Sequence, residues 1–213
     1  VLEDSIKKEN EFGQDIAFRY RKGTQIYDVT FEQFYLDTKY IGSAYTEMGF
    51  KKGNKIAMIG PNSYEWINVF VSVFNSEAVF VPVDKELMAE DVLNILTVSE
   101  SKAMFVDDKS YEKLQEIKDR LPQDFTFIGL DEIEGLKNID ELIKLGEELL
   151  EKGDRTFIDA EVDGNAMSSL LFTSGTTGMA KGVMLSQKNI IEDIRAIKKL
   201  VKITPDDTIL SVL

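Results

Sequence analysis

The 213-residue sequence contains no cysteine and no histidine. Without thiols there is no disulfide framework, no thiolate metal site and no cysteine nucleophile, and the composition is compatible with a reducing compartment. Without imidazole, the Ser/His and Cys/His catalytic arrangements and the histidine zinc sites are excluded. Long apolar runs are also missing. The most apolar stretch, Trp66 to Phe74, is broken by Asn68 and Ser72 and falls far short of the roughly 20 residues needed to cross a bilayer. Glu3 and Asp4 follow Val1 almost at once, which is unlike a signal peptide. The chain therefore reads as soluble and cytoplasmic, with no transmembrane segment.

Basic residues are in deficit: 25 Lys and Arg stand against 38 Asp and Glu, a formal charge of −13. Such a surface repels nucleic-acid phosphates and anionic lipid, so no nucleic-acid partner is expected. The deficit is uneven, because residues 166–213 hold six bases and only four acids. A mildly positive stretch at one end of an acidic chain is where an anion site is sought first, although chance produces the same asymmetry. With 43% hydrophobic residues the chain can bury one substantial core.

The hydrophobic pattern alternates between short β-rich runs and longer helical stretches, which predicts an α/β fold with a largely parallel sheet and helical crossovers. Thr30 and Gln33 suggest a capping box. Phe34, Ile41, Tyr45 and Met48 then make a helical stripe that Gly49 stops. Strands are predicted at Lys55 to Ile59, Val79 to Val83, Ala103 to Val106 and Phe125 to Leu130. Helices are predicted at Tyr64 to Asn75, Ala89 to Ser99, Tyr111 to Arg120 and Asn138 to Leu150. Trp66, Phe70 and Phe74 share a helical spacing that reads as core. Between Glu151 and Asp163 the pattern weakens into an exposed connection, which divides the chain into an N-terminal α/β subdomain at 1–163 and the start of a second at 164–213. Ile190, Ile194, Ile197 and Val201 form a further helical stripe read as packing, and Thr208 to Leu213 is predicted to begin a strand.

The distinctive segment is Thr173-Ser174-Gly175-Thr176-Thr177-Gly178-Met179-Ala180-Lys181-Gly182, between a strand at Ser168 to Phe172 and another at Val183 to Leu185. Three glycines let main-chain N–H groups approach a ligand closely, and four hydroxyls supply rotatable donors. Polyphosphate is held by such convergent donors together with a cation, and Lys181 is the cation. The spacing fails the common P-loop pattern and the dinucleotide-binding glycine pattern. On the residues alone, an ordinary turn between two strands remains the competing explanation.

The run from Leu170 to Ser186, LLFTSGTTGMAKGVMLS, resembles the signature of the AMP-binding, adenylate-forming superfamily, which includes acyl-CoA synthetases, luciferases and peptide-synthetase adenylation domains. Weaker likeness runs through Tyr27 to Phe31, Gly53 to Ile56, Gly60 to Trp66 and Val79 to Asp84, in a style most similar to bacterial long-chain fatty-acid CoA ligases. The resemblance implies part of the large N-terminal domain of a luciferase-like fold, and a chain that is an N-terminal fragment lacking the C-terminal part with its catalytic lysine. It implies ATP, Mg²⁺ and CoA as cofactor and co-substrates and a fatty acid as the carboxylate. In that frame Thr173, Ser174, Gly175, Thr176, Thr177, Gly178, Lys181 and Gly182 bind the ATP phosphates and Thr173 contacts Mg²⁺. No catalytic residue lies within the chain, which alone is expected to be inactive. Two positions depart from the family pattern: Ala180 stands where proline is typical, and Gln187 where histidine is common. An amino-acid adenylation domain feeding a carrier protein and a non-catalytic anion-binding module stay open as alternatives.

Overall fold

The computed structural model describes residues 12–173 and 181–211. The chain opens with an antiparallel hairpin, β1 (Ile16–Lys22) and β2 (Gln25–Thr30), turned at Gly23, whose φ of +63° suits glycine. Helix α1 (Phe31–Glu47) follows at once, with the Thr30 side chain accepting from the Gln33 N–H. Only half of the expected capping box forms, because the Gln33 amide turns to Asp37 instead. Gly49, at φ +75°, turns the chain out of the helix as expected.

Seven strands then build one sheet in the order β7-β6-β5-β3-β4-β8-β9. They are β3 (Lys55–Ile59), β4 (Val79–Pro82), β5 (Ser101–Val106), β6 (Thr126–Gly129), the two-residue β7 (Lys137–Asn138), β8 (Met167–Thr173) and β9 (Lys181–Ser186). Every pairing is parallel except that of β8 with β9. The crossovers are α2 (Tyr64–Phe74), α3 (Ala89–Ser99), α4 (Asp108–Leu114) running into a 3₁₀ segment (Gln115–Arg120), and α5 (Ile139–Glu151). Helix α6 (Gln187–Leu200) follows β9 directly.

Both faces of the sheet are covered, which is why β3 and β5 read as nearly continuous apolar runs. Ile56, Met58, Phe80, Phe105 and Ile128 meet α1, α2 and α5 on one face, with Trp66, Phe70 and Phe74 in that layer as expected. Ala57, Ile59, Val81, Met104 and Val106 meet α3, α4 and the 3₁₀ segment on the other. Helices α1 and α5 touch so closely at Gly146 that an added Cβ would lie 1.8 Å from the Tyr40 carbonyl oxygen.

The residues 152–166 are irregular and mostly exposed, but Phe157 is buried and its ring lies on Gly42, where a Cβ would come within 2.2 Å. The helix expected at Tyr111 to Arg120 turns 3₁₀ from Gln115 onward, and two further expectations fail. Residues 208–211 form no strand; without a neighbouring strand, their apolar side chains give no ladder. The stripe on α6 does not pack among the described residues: Ile194, Ile197 and Val201 are about half exposed.

Candidate functional site

Strand β8 runs parallel to β4, so its last residue, Thr173, lies at the carboxyl edge of the sheet, where ligands bind in open α/β sheets. The chain returns antiparallel along β9, and Thr173 stands directly opposite Lys181 in the register. Residues on opposed positions of an antiparallel pair project on the same face, roughly 5 Å apart at Cβ. The hydroxyl and the ammonium therefore form the stem of the intervening loop. Both residues are exposed, and Lys181 has no ion-pair partner among the described residues.

One rung back, Gly182 stands opposite Phe172, and a Cβ on it would press within 2.8 Å of Leu170 Cδ1. That glycine keeps β9 close over the apolar side chains beneath it, with Leu170 and Phe172 resting on the α3 face. Ser174, Gly175, Thr176, Thr177, Gly178 and Ala180 lie outside the described residues. Of the residues expected to bind phosphate, the structure brings Thr173, Lys181 and Gly182 together.

The donor set suits a polyphosphate: one hydroxyl and one uncompensated cation flank a loop rooted at the carboxyl edge. For Mg²⁺ the stem supplies a single oxygen donor, Thr173 Oγ1. No group of three or more Asp or Glu side chains among the described residues is arranged to hold a metal.

Two features escape sequence reading. Strands β3 and β5 are neighbours whose connections leave to opposite faces of the sheet, and at their carboxyl ends Asp107 Oδ1 is buried near Gly60 without a hydrogen-bond partner among the described residues. The periodicity of β5 points to its end but gives no hint of this neighbour. Gln187 is the second. It is buried, and its Nε2 donates to the Phe74 carbonyl at 2.8 Å, across 113 residues of chain. A shallow cavity among Gly42, Tyr45, Phe50, Lys52 and Phe157 opens at the amino ends of the strands, opposite the loop.

Comparison with known proteins gives the family and the fold. A profile of the AMP-binding enzyme family matches residues 7–213, and the chain belongs to that family. It is 30% identical over 220 residues to human long-chain-fatty-acid–CoA ligase 1, covering 91% of this chain and 30% of that protein. It is 26% identical over 166 residues to 4-coumarate–CoA ligase-like 1 of Arabidopsis thaliana, covering 78% of this chain and 29% of that one. The chain thus spans less than a third of the length of these relatives. Among solved structures, an anthranilate CoA ligase in complex with anthranoyl-AMP superposes with a TM-score of 0.76 at 19% identity, over 90% of this chain and 35% of that one. A long-chain-fatty-acid-CoA ligase from Archaeoglobus fulgidus gives 0.75 at 17% identity, over 92% and 38%. These confirm the expected α/β fold.

Proposed function

We propose that the chain is the phosphate-gripping part of an AMP-forming acid–thiol ligase that activates a carboxylic acid, a long-chain fatty acid by preference, and passes it to CoA. The observation that carries this reading is the placement of Thr173 opposite Lys181 at the carboxyl edge, at the stem of the glycine and hydroxyl loop. The similarity to fatty-acid and coumarate-type CoA ligases supports the acid–thiol class. In this reading residues 164–213 open a second subdomain, built outward from the edge of the sheet that residues 1–163 establish, and the cytoplasm is the compartment.

The reaction begins with a substrate carboxylate oxygen attacking the α-phosphorus of ATP. The bond to the bridging oxygen breaks, leaving acyl-AMP and pyrophosphate. The CoA sulfur then attacks the acyl carbon, and AMP departs. A carboxylate is already a nucleophile, so the first step needs no general base. The contribution of this chain is electrostatic and positional. Lys181 offsets the charge that grows on the departing pyrophosphate. Thr173 donates its hydroxyl to, or orients, the same phosphate oxygens. Thr173 would be this chain's contact to Mg²⁺, which would supply further positive charge against that of the phosphates.

Catalytic residues lie outside residues 1–213 in this reading, and the isolated chain is inactive. ATP–pyrophosphate exchange by the whole protein, with a panel of fatty acids, amino acids and no acid, tests the proposal. Acid-dependent exchange followed by CoA thioester formation supports it. Aminoacyl transfer to a carrier protein would place the chain among amino-acid adenylation domains. ATP binding without pyrophosphate release would leave an anion-binding module.

A further inference from the structure

Gln187 occupies the position where the resemblance leads one to expect histidine, and it does not face the phosphate loop. Its side chain is 8% exposed and points away from the hairpin tip to the end of α2. Phe74 is the last residue of that helix, and its carbonyl is one of the terminal acceptors that the helix leaves without an internal partner. The Gln187 amide supplies the donor. Next to it the Lys188 N–H donates to the Gly164 carbonyl at 2.9 Å. A reciprocal pair between Ser186 and Asn189 caps α6. The base of the β8–β9 hairpin is thus closed on itself by the cap and by the Lys188–Gly164 bond, and Gln187 ties it to α2.

The other end is held less. β4 ends at Pro82, which has no N–H, and Phe80 stands opposite Ser169 where β4 pairs with β8. From Leu170 to Thr173 and from Lys181 to Val183 the hairpin rises on its own rungs, supported on one face by Leu170 and Phe172. A six-residue strand carries a residue about 17 Å from its far end. A small rotation at the base is magnified over that length into a displacement of Thr173 and Lys181.

We infer that Gln187 is a positioning residue for the Thr173–Lys181 stem, setting the angle of the hairpin by tying its base to the carboxyl end of α2. The inference rests on the phosphate role proposed for the Thr173–Lys181 stem. A neutral amide does this at any pH. An imidazole N–H can do the same, and in its charged form is further favoured by the dipole at a helix carboxyl end.

The test compares Gln187→Leu, of similar volume but without a donor, with Gln187→His in the whole protein. Amide hydrogen exchange is followed strand by strand beside steady-state kinetics. In Gln187→Leu, exchange in β8 and β9 rises about three- to tenfold while β3 and β5 keep their protection, and KM for ATP rises by a similar factor. Gln187→His restores both. Unchanged hairpin exchange, or an equal rise in every strand, overturns the inference. Lys181→Ala in the same assay separates the two levels. If it weakens ATP use while Gln187→Leu does not, positioning by Gln187 is wrong and the phosphate role stands; if neither affects ATP use, the phosphate role itself has failed.

Discussion

The Tyr64 hydroxyl donates to Asp37 Oδ2 at 2.7 Å, joining α2 to α1 through a buried carboxylate that has no cation partner among the described residues. Gln33 Nε2 donates to the other oxygen at 2.7 Å. The β1–β2 hairpin closes over the pair, with Tyr20 stacked on Tyr64 at 5.7 Å and Phe18 edge-on to it at 5.6 Å.

Burial raises the Asp37 carboxyl above its ordinary value of 3.8, while the two hydrogen bonds pull it down and Asp140 adds to the rise. The net direction is upward. A carboxyl that binds its proton more tightly when folded contributes stability that is fully present below the unfolded value and is lost as pH rises through the folded one. Wild type should therefore lose stability relative to Asp37→Asn between about pH 4 and about pH 7. Denaturant midpoints of both proteins at the two pH values check this, and a constant difference refutes it.

Tyr64→Phe keeps the ring and its contacts with Tyr20 and Phe18 but removes a donor from the carboxylate. A hydrogen bond to a charged group is worth about 1.5–3 kcal/mol, so that loss is expected near neutral pH, shrinking as Asp37 is protonated. Urea unfolding at both pH values measures it. A cost independent of pH would mean that packing, not the bond, had been lost.

Gly146→Ala sets two effects against each other. Alanine gains about 1 kcal/mol of helix propensity. A Cβ 1.8 Å from the Tyr40 carbonyl oxygen forces α1 and α5 apart. Overpacking of this kind costs about 1–3 kcal/mol, and here the obstacle is backbone that cannot rotate away. Net destabilisation of about 1–2 kcal/mol is expected in equilibrium unfolding.

Lys181→Ala should leave folding untouched, within about 0.5 kcal/mol, since the side chain is exposed and carries no ion pair among the described residues. ATP affinity or the rate of adenylation in the whole protein should fall about tenfold to a hundredfold. Lys181→Arg should recover part of that, because the charge stays while its geometry changes.

Much of this architecture was legible in the sequence. Lys55–Ile59 and Ala89–Ser99 have the bounds their apolar patterns predict, because a strand buried on both faces leaves a short continuous apolar run bounded by turn residues and an amphipathic helix leaves a 3.6-residue period. The β1–β2 hairpin was harder to see. Phe18 and Tyr20 alternate with Arg19 and Arg21, yet the hairpin stands outside the main sheet and its charged side faces solvent. Residues 208–211 mislead in the other direction, since apolar β-rich residues need a neighbour before they become a strand. The phosphate stem was visible as a motif, and the register of β8 and β9 shows why Thr173 and Lys181 belong together. Gln187 could be flagged by position alone. Its contact with Phe74 depends on how the whole sheet closes, and no local pattern encodes it.

β9 is the outermost strand on its side of the sheet, and Met184 and Val183 on it are 71% and 44% exposed. Among the described residues one line of main-chain donors and acceptors there has no strand beside it, and it is flanked by greasy side chains with Lys181, at the strand's first position, as its single charge. The 213-residue chain kept by itself at high concentration should consequently join border to border into dimers and larger species. Light scattering should detect them, and a lysine replacing Met184 should disperse them.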